Sequence, residues 1–145
     1  MAVIFWGWLC LSACGRGGVV TQPEITTVQA EVVARPLPPG DYAGKANPLS
    51  ADPSAASEGA PFFQADCASC HGTEGRGNGP AGANYDPKPT NLAATQRDLS
   101  DAYLFWRISE GGAMQPFDSV MPGWKGLLSD KRIWQIITYI RALKP

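Results

Sequence analysis

Histidine is almost missing from this chain. His71 is the only one in 145 residues. That scarcity excludes bis-histidine ligation of a metal within this chain. Charge of either sign is also sparse. Twelve Lys and Arg stand against 13 Asp and Glu, for a net charge of −1. The basic field that nucleic acid requires is therefore absent. Long apolar runs are lacking too. Residues 2–13 are uncharged and hold Val3, Ile4, Phe5, Trp6, Trp8, Leu9 and Leu11. They fall short of the roughly 20 residues that span a bilayer. The glycine-rich run after His71 lacks Walker spacing and a following Lys-Ser/Thr, so it does not read as a phosphate cradle. There is no internal repeat.

The lone histidine sits in Cys67-Ala68-Ser69-Cys70-His71. A Cys-x-x-Cys-His run is the attachment signature of a c-type haem. The two thiols add across the haem vinyl groups as thioethers, and the adjacent imidazole ligates the iron. Two blander readings compete. A redox dithiol wants a βαβ context, and none is visible. A structural zinc wants four ligands, whereas three contiguous ones suit a single tetrahedral ion poorly. The pattern therefore predicts one covalent haem c held by Cys67, Cys70 and His71.

With no second histidine, the sixth iron ligand must be something else or absent. Thioether sulfur is the soft candidate. Beyond the first residue the chain offers Met114 and Met121. Either can equally be a core filler. Met121-Pro122-Gly123-Trp124 lies in an irregular segment, where a side chain can reach across to an open iron face. His71 must bind as neutral imidazole, so its other ring nitrogen should donate to a backbone carbonyl. Pro80, in Gly79-Pro80, is the expected acceptor. Tyr103, Trp106, Trp124, Trp134 and Tyr139 are expected in the pocket or in helix packing.

The coarse structure reads as all-α. Asp52 or Ser54 caps a helix running toward Cys67, with Pro61 badly placed inside it. Residues 72–90 are a loop. Ser100 or Asp101 caps a helix over residues 102–109, ended by Gly111-Gly112. Ser129 caps the last helix, residues 130–143, whose apolar face carries Ile133, Trp134, Ile136, Ile137, Ile140 and Leu143.

The N-terminus reads as an export segment. Leu11-Ser12-Ala13-Cys14 resembles the bacterial lipobox, which predicts a signal peptide over residues 1–13 and lipidation of Cys14. Residues 14–52 then form a lipid-anchored extended arm, rich in proline and glycine, and residues 53–145 the compact domain. Leu37, Tyr42 and the valine-rich stretch suggest that the arm docks on a partner rather than serving as an inert spacer.

Residues 53–145 resemble a class I cytochrome c domain. The matching features are Gly59 and Phe63, Cys67 to His71, Gly79-Pro80, Met121-Pro122, and a final helix with Trp134 and Tyr139-Ile140-Arg141. The resemblance implies a fold in which first and last helices cross, Gly59 and Phe63 meeting Ile136 and Tyr139 or Ile140. It also implies an exposed haem edge, Met121 as the sixth ligand, and one-electron transfer rather than enzymatic chemistry. Tyr42 to Leu49, with Gly79-Pro80 and Asp86-Pro87-Lys88-Pro89, looks more narrowly like the mono-haem lipoprotein subunit of alternative complex III, a bacterial quinol oxidoreductase. That likeness implies a multi-haem cytochrome, an iron–sulfur protein and integral membrane subunits as partners. It further implies a soluble acceptor (a small cytochrome or copper protein) and a place on the outer, periplasmic face of the cytoplasmic membrane. A free tethered carrier, or the electron-entry subunit of a terminal oxidase, is the alternative. An open-site haem enzyme requires that Met121 not bind.

Overall fold

The computed structural model describes residues 35–145. Cys14, the apolar stretch before it and the valine-rich part of the arm lie outside the described residues. Five helices follow in order: α1 (Ala55–Asp66), α2 (Ala68–His71), α3 (Leu92–Thr95), α4 (Asp101–Glu110) and α5 (Asp130–Ala142), with a 3-10 turn at Pro80–Gly82. Among the described residues there is no strand, only an isolated bridge between Lys125 and Leu128.

Local chemistry sets the helix ends. The Ser100 hydroxyl accepts from the Tyr103 N–H at 3.1 Å, and the Ser129 hydroxyl from the Arg132 N–H at 3.4 Å. Each satisfies one donor that the first helical turn leaves unpaired. Gly111, at φ 75°, turns the chain out of α4, a conformation that glycine adopts without a Cβ penalty. At α1 the Ser54 hydroxyl bonds the carboxylates of Asp52 and Glu58 instead of the helix backbone. Pro61 does sit inside α1, on its exposed side, where the carbonyl left without a donor faces water.

The core forms where α1 crosses α5. A Cβ on Gly59 would lie 2.0 Å from the Gln135 carbonyl oxygen, so the helices touch backbone to backbone. Phe63, Ile136 and Ile137 are fully buried there, and the Phe63 and Tyr139 rings are 5.1 Å apart. This is the predicted crossing. Helix α4 adds Leu104, Phe105, Trp106 and Ile108, with Phe105 4.3 Å from Trp134.

The described part of the arm packs on this chain itself. Tyr42 is 8 % exposed, its ring 6.2 Å from Phe105. Its hydroxyl donates to the Glu110 carboxylate. Asn47 is 6 % exposed and fully engaged. Its backbone N–H donates to Asp101 at 3.0 Å, its amide to Thr138 Oγ1 at 2.8 Å, and its side-chain oxygen accepts from the Leu49 N–H at 2.9 Å. Buried polar groups are retained when satisfied in this way. The expectation that Tyr42 serves a partner is therefore corrected: its ring and hydroxyl are used by α4 of the same chain.

Candidate haem-binding site

A cavity of about 390 Å³ opens beside α1, α4 and α5, within the roughly 300–1,000 Å³ typical of cofactor clefts. The α1–α2 junction gives it Cys67, Cys70 and His71, and the loop before α5 gives it Met121 and Trp124. Phe63, Leu92, Leu99, Leu104, Ile108, Ile136 and Ile140 supply apolar wall. Tyr85, Lys88 and Val120 join the lining while exposed to solvent. Met114 packs against the core instead of lining the cavity.

Cys67 occupies the break between α1 and α2, closing one helix and opening the next. Both thiols are free. Burial pushes the Cys67 thiol up to about 12, with the Asp66 carboxylate and Cys70 adding to the effect. A redox dithiol needs the opposite, a stabilised thiolate. Among the described residues no cluster of three or more His, Cys, Asp or Glu side chains is placed to hold a metal ion, so the zinc reading lacks a ligand set.

His71 Nδ1 lies 3.0 Å from the carbonyl oxygen of Thr90. A carbonyl only accepts, so this partner assigns the proton to Nδ1 and leaves the Nε2 lone pair free for a metal. Burial also lowers the proton affinity of the ring, the Thr90 carbonyl opposing more weakly. Neutral imidazole is the form an iron ligand requires.

The acceptor is thus Thr90, and the expectation of Pro80 is corrected. Pro80 is exposed and starts the 3-10 turn, and its own carbonyl takes the Ala83 N–H at 3.4 Å. The Gly79-Pro80 step backs onto Cys70 instead. The Gly79 N–H donates to the Cys70 carbonyl at 3.1 Å, and a Cβ at Gly79 would lie 2.4 Å from the Ser69 oxygen.

Arg107 was not anticipated from the sequence. It lines the cavity from α4, stacked 3.4 Å over the Phe117 ring centroid. Its Nη1 is buried with no hydrogen-bond partner. Burial pulls its pKa down, Tyr103 partly opposing. A desolvated cation with an unused donor is costly unless an anion meets it. Haem carries two propionate carboxylates, so cation, thiols, neutral imidazole and apolar wall all fit that group. The available signal was an arginine embedded in Leu104-Phe105-Trp106-Arg107-Ile108. Of the aromatic residues singled out, Tyr103 and Trp124 line the cavity. Trp106 packs on Tyr103 and Phe117, Trp134 on Phe105, and Tyr139 on Phe63.

The Met121 loop lies along the end of α4. The Gly112 N–H donates to the Met121 carbonyl at 2.8 Å, and the N–H groups of Trp124 and Lys125 to Ile108 and Ser109, each at 3.0 Å. Gly111 allows the approach, since a Cβ there would lie 2.5 Å from the Gly123 nitrogen.

Two solved structures share the fold. Cytochrome CL from Methylophaga aminisulfidivorans aligns with a TM-score of 0.52 and 21% identity, over 68% of this chain and 59% of that one. The reducing HAO-like protein complex from Kuenenia stuttgartiensis aligns with a TM-score of 0.51 and 23% identity, over 64% and 45%. In sequence, the chain is 26% identical over 133 residues to the cbb3-type cytochrome c oxidase subunit CcoP of Azospirillum brasilense. The match takes in 92% of this chain and 40% of that protein's length. Residues 54–140, which carry the cysteine pair, His71, Arg107 and Met121, match the family described as cytochrome c oxidase, cbb3-type, subunit III, and the chain belongs to that family.

Proposed function

We propose that the chain holds one haem c, ligated by His71 and Met121, and passes single electrons as the electron-entry subunit of a membrane-bound terminal oxidase. The carrying observation is that Cys67, Cys70, His71 and Met121 line one cavity in which burial favours neutral His71 and the Thr90 carbonyl fixes its proton on Nδ1. Haem c supplies a one-electron ferric–ferrous couple. The residues do the rest. Cys67 and Cys70 fix the group covalently. His71 donates its Nε2 lone pair. Met121 gives a soft sulfur that favours the ferrous state and raises the potential relative to a second imidazole. Arg107 meets a propionate, and the Phe63, Ile136 and Ile140 wall keeps water out. With His71 and Met121 both holding the iron, the protein's task would be to tune the potential and present an edge. Val120, 62 % exposed, and Tyr85, 39 % exposed, supply apolar contact at that edge.

The oxidase reading draws on the family and on the relative's name. The second reading, a subunit of alternative complex III, draws on the likeness of Tyr42 to Leu49 and Asp86 to Pro89. It brings as partners a multi-haem cytochrome and a soluble acceptor. In both readings Cys14 is the lipid anchor, on the periplasmic face. Among the described residues no helix is long and apolar enough to cross a membrane.

A native gel of gently solubilised membranes, stained for haem and identified by mass spectrometry, separates the readings. Co-migration with an oxygen-reducing catalytic subunit supports the first. Co-migration with multi-haem, iron–sulfur and polytopic quinol-oxidising subunits supports the second. A haem band at the size of this chain alone sinks both and leaves a free tethered carrier.

A further inference from the structure

We infer that Tyr42, far from the iron ligands in sequence, is a positioning residue for Met121. The inference rests on the proposed Met121 ligation. Tyr42 sits where α4 ends and the Met121 loop leaves toward α5. Its hydroxyl donates to Glu110, the last residue of α4. Lys125, four residues past Met121, extends Nζ to Glu110 at 3.0 Å and to the Tyr42 hydroxyl at 3.4 Å. The Lys125 ammonium also stands 5.8 Å from the Tyr42 ring centroid.

A Lys–Glu pair this exposed holds little by itself, because water screens it and two long side chains must be ordered. Lys125 is 69 % exposed in its side chain. Tyr42 changes that balance. Its ring is buried against Phe105, and it orients the Glu110 carboxylate toward Lys125, so three groups act as one network. The loop is then tied on both sides of Met121. Before Met121, the Ser119 N–H donates to the Gly112 carbonyl at 2.8 Å, and the Gly112 N–H donates to the Met121 carbonyl itself. The Lys125–Ser109 backbone bond and this side-chain network hold the side after it. The segment before the haem domain thus closes the loop that offers sulfur to the iron.

Exogenous imidazole tests this on the full-length ferric holoprotein. It binds only when Met121 leaves the iron, so its apparent affinity reports the population with the loop open. Tyr42→Phe keeps the packed ring and removes the tie. It should raise the apparent imidazole affinity about tenfold, which is about 1.4 kcal/mol of loop opening. Lys125→Met should do the same, and the double variant no more than either alone, since the residues act together. Thr138→Val is the control, because it removes an Asn47 contact on α5 away from the loop. It should lower stability and leave imidazole affinity unchanged. Wild-type affinity in Tyr42→Phe overturns the inference, as does an equal rise in Thr138→Val, which marks general loosening. A wild-type spectrum without a sulfur–iron band sinks the Met121 reading itself, a separate failure.

Discussion

Gly59 and Gln135 meet backbone to backbone: a Cβ on Gly59 would stand 2.0 Å from the Gln135 carbonyl oxygen. The contact lets Phe63 seal the cavity wall and brings α1, which leads into Cys67, against α5. Gly59→Ala forces the helices apart. Overpacking of this kind costs about 1–3 kcal/mol. Urea unfolding of the holoprotein should show that loss. An unchanged midpoint would mean that the crossing yields without strain.

Much of this arrangement is legible in the sequence, because the signals are local. Ser100 and Ser129 stand just ahead of apolar periodicity, and both cap. The haem motif is contiguous, and Gly111-Gly112 stops α4. What the sequence hides is contact between distant segments. The acceptor for His71 comes from Thr90, nineteen residues on, because the loop returns past the ring. The nearer Gly79-Pro80 is spent against Cys70. Helix α3 has only four residues, too few for a periodic pattern, though Asn91 does cap it. Tyr42 in an extended arm looks available to a partner until Glu110 and Lys125 are seen around it.

Arg107 gives a prediction about potential. Its unpartnered Nη1 lies buried beside the cavity. A cation there disfavours the added positive charge of ferric iron. Arg107→Gln should therefore lower the midpoint potential, and Arg107→Lys should retain most of it. Potentiometric titration decides, and equal potentials in all three proteins would place the propionates elsewhere.

The Glu110 network predicts an acid-side effect. The Tyr42 hydroxyl first, and Lys125 second, hold the Glu110 carboxyl below its usual range. A carboxylate whose folded pKa is depressed adds stability above its unfolded pKa, and that stability is lost as pH falls through the folded value. The stability gap between wild type and Tyr42→Phe should be full near neutral pH and close as pH drops below about 4, the carboxylate range. Urea titrations at a series of pH values read this out. A gap that widens in acid would contradict the assignment.

Cysteine chemistry provides a further check. In the proposed reading, thioether attachment uses both Cys67 and Cys70, and His71 completes the motif. His71→Ala should leave the chain without mature haem, seen as loss of the haem-stained band under denaturing conditions. A stained band of wild-type intensity would show that the imidazole is not needed for attachment.

In the proposed reading, His71 and Met121 ligate one iron. The direct measurement is the near-infrared spectrum of the ferric holoprotein in wild type, Met121→Ala and Met114→Ala. A sulfur–iron charge-transfer band in wild type and Met114→Ala, lost in Met121→Ala with a fall in potential, is the predicted result. A band that survives Met121→Ala, or one that is absent from wild type, would contradict it.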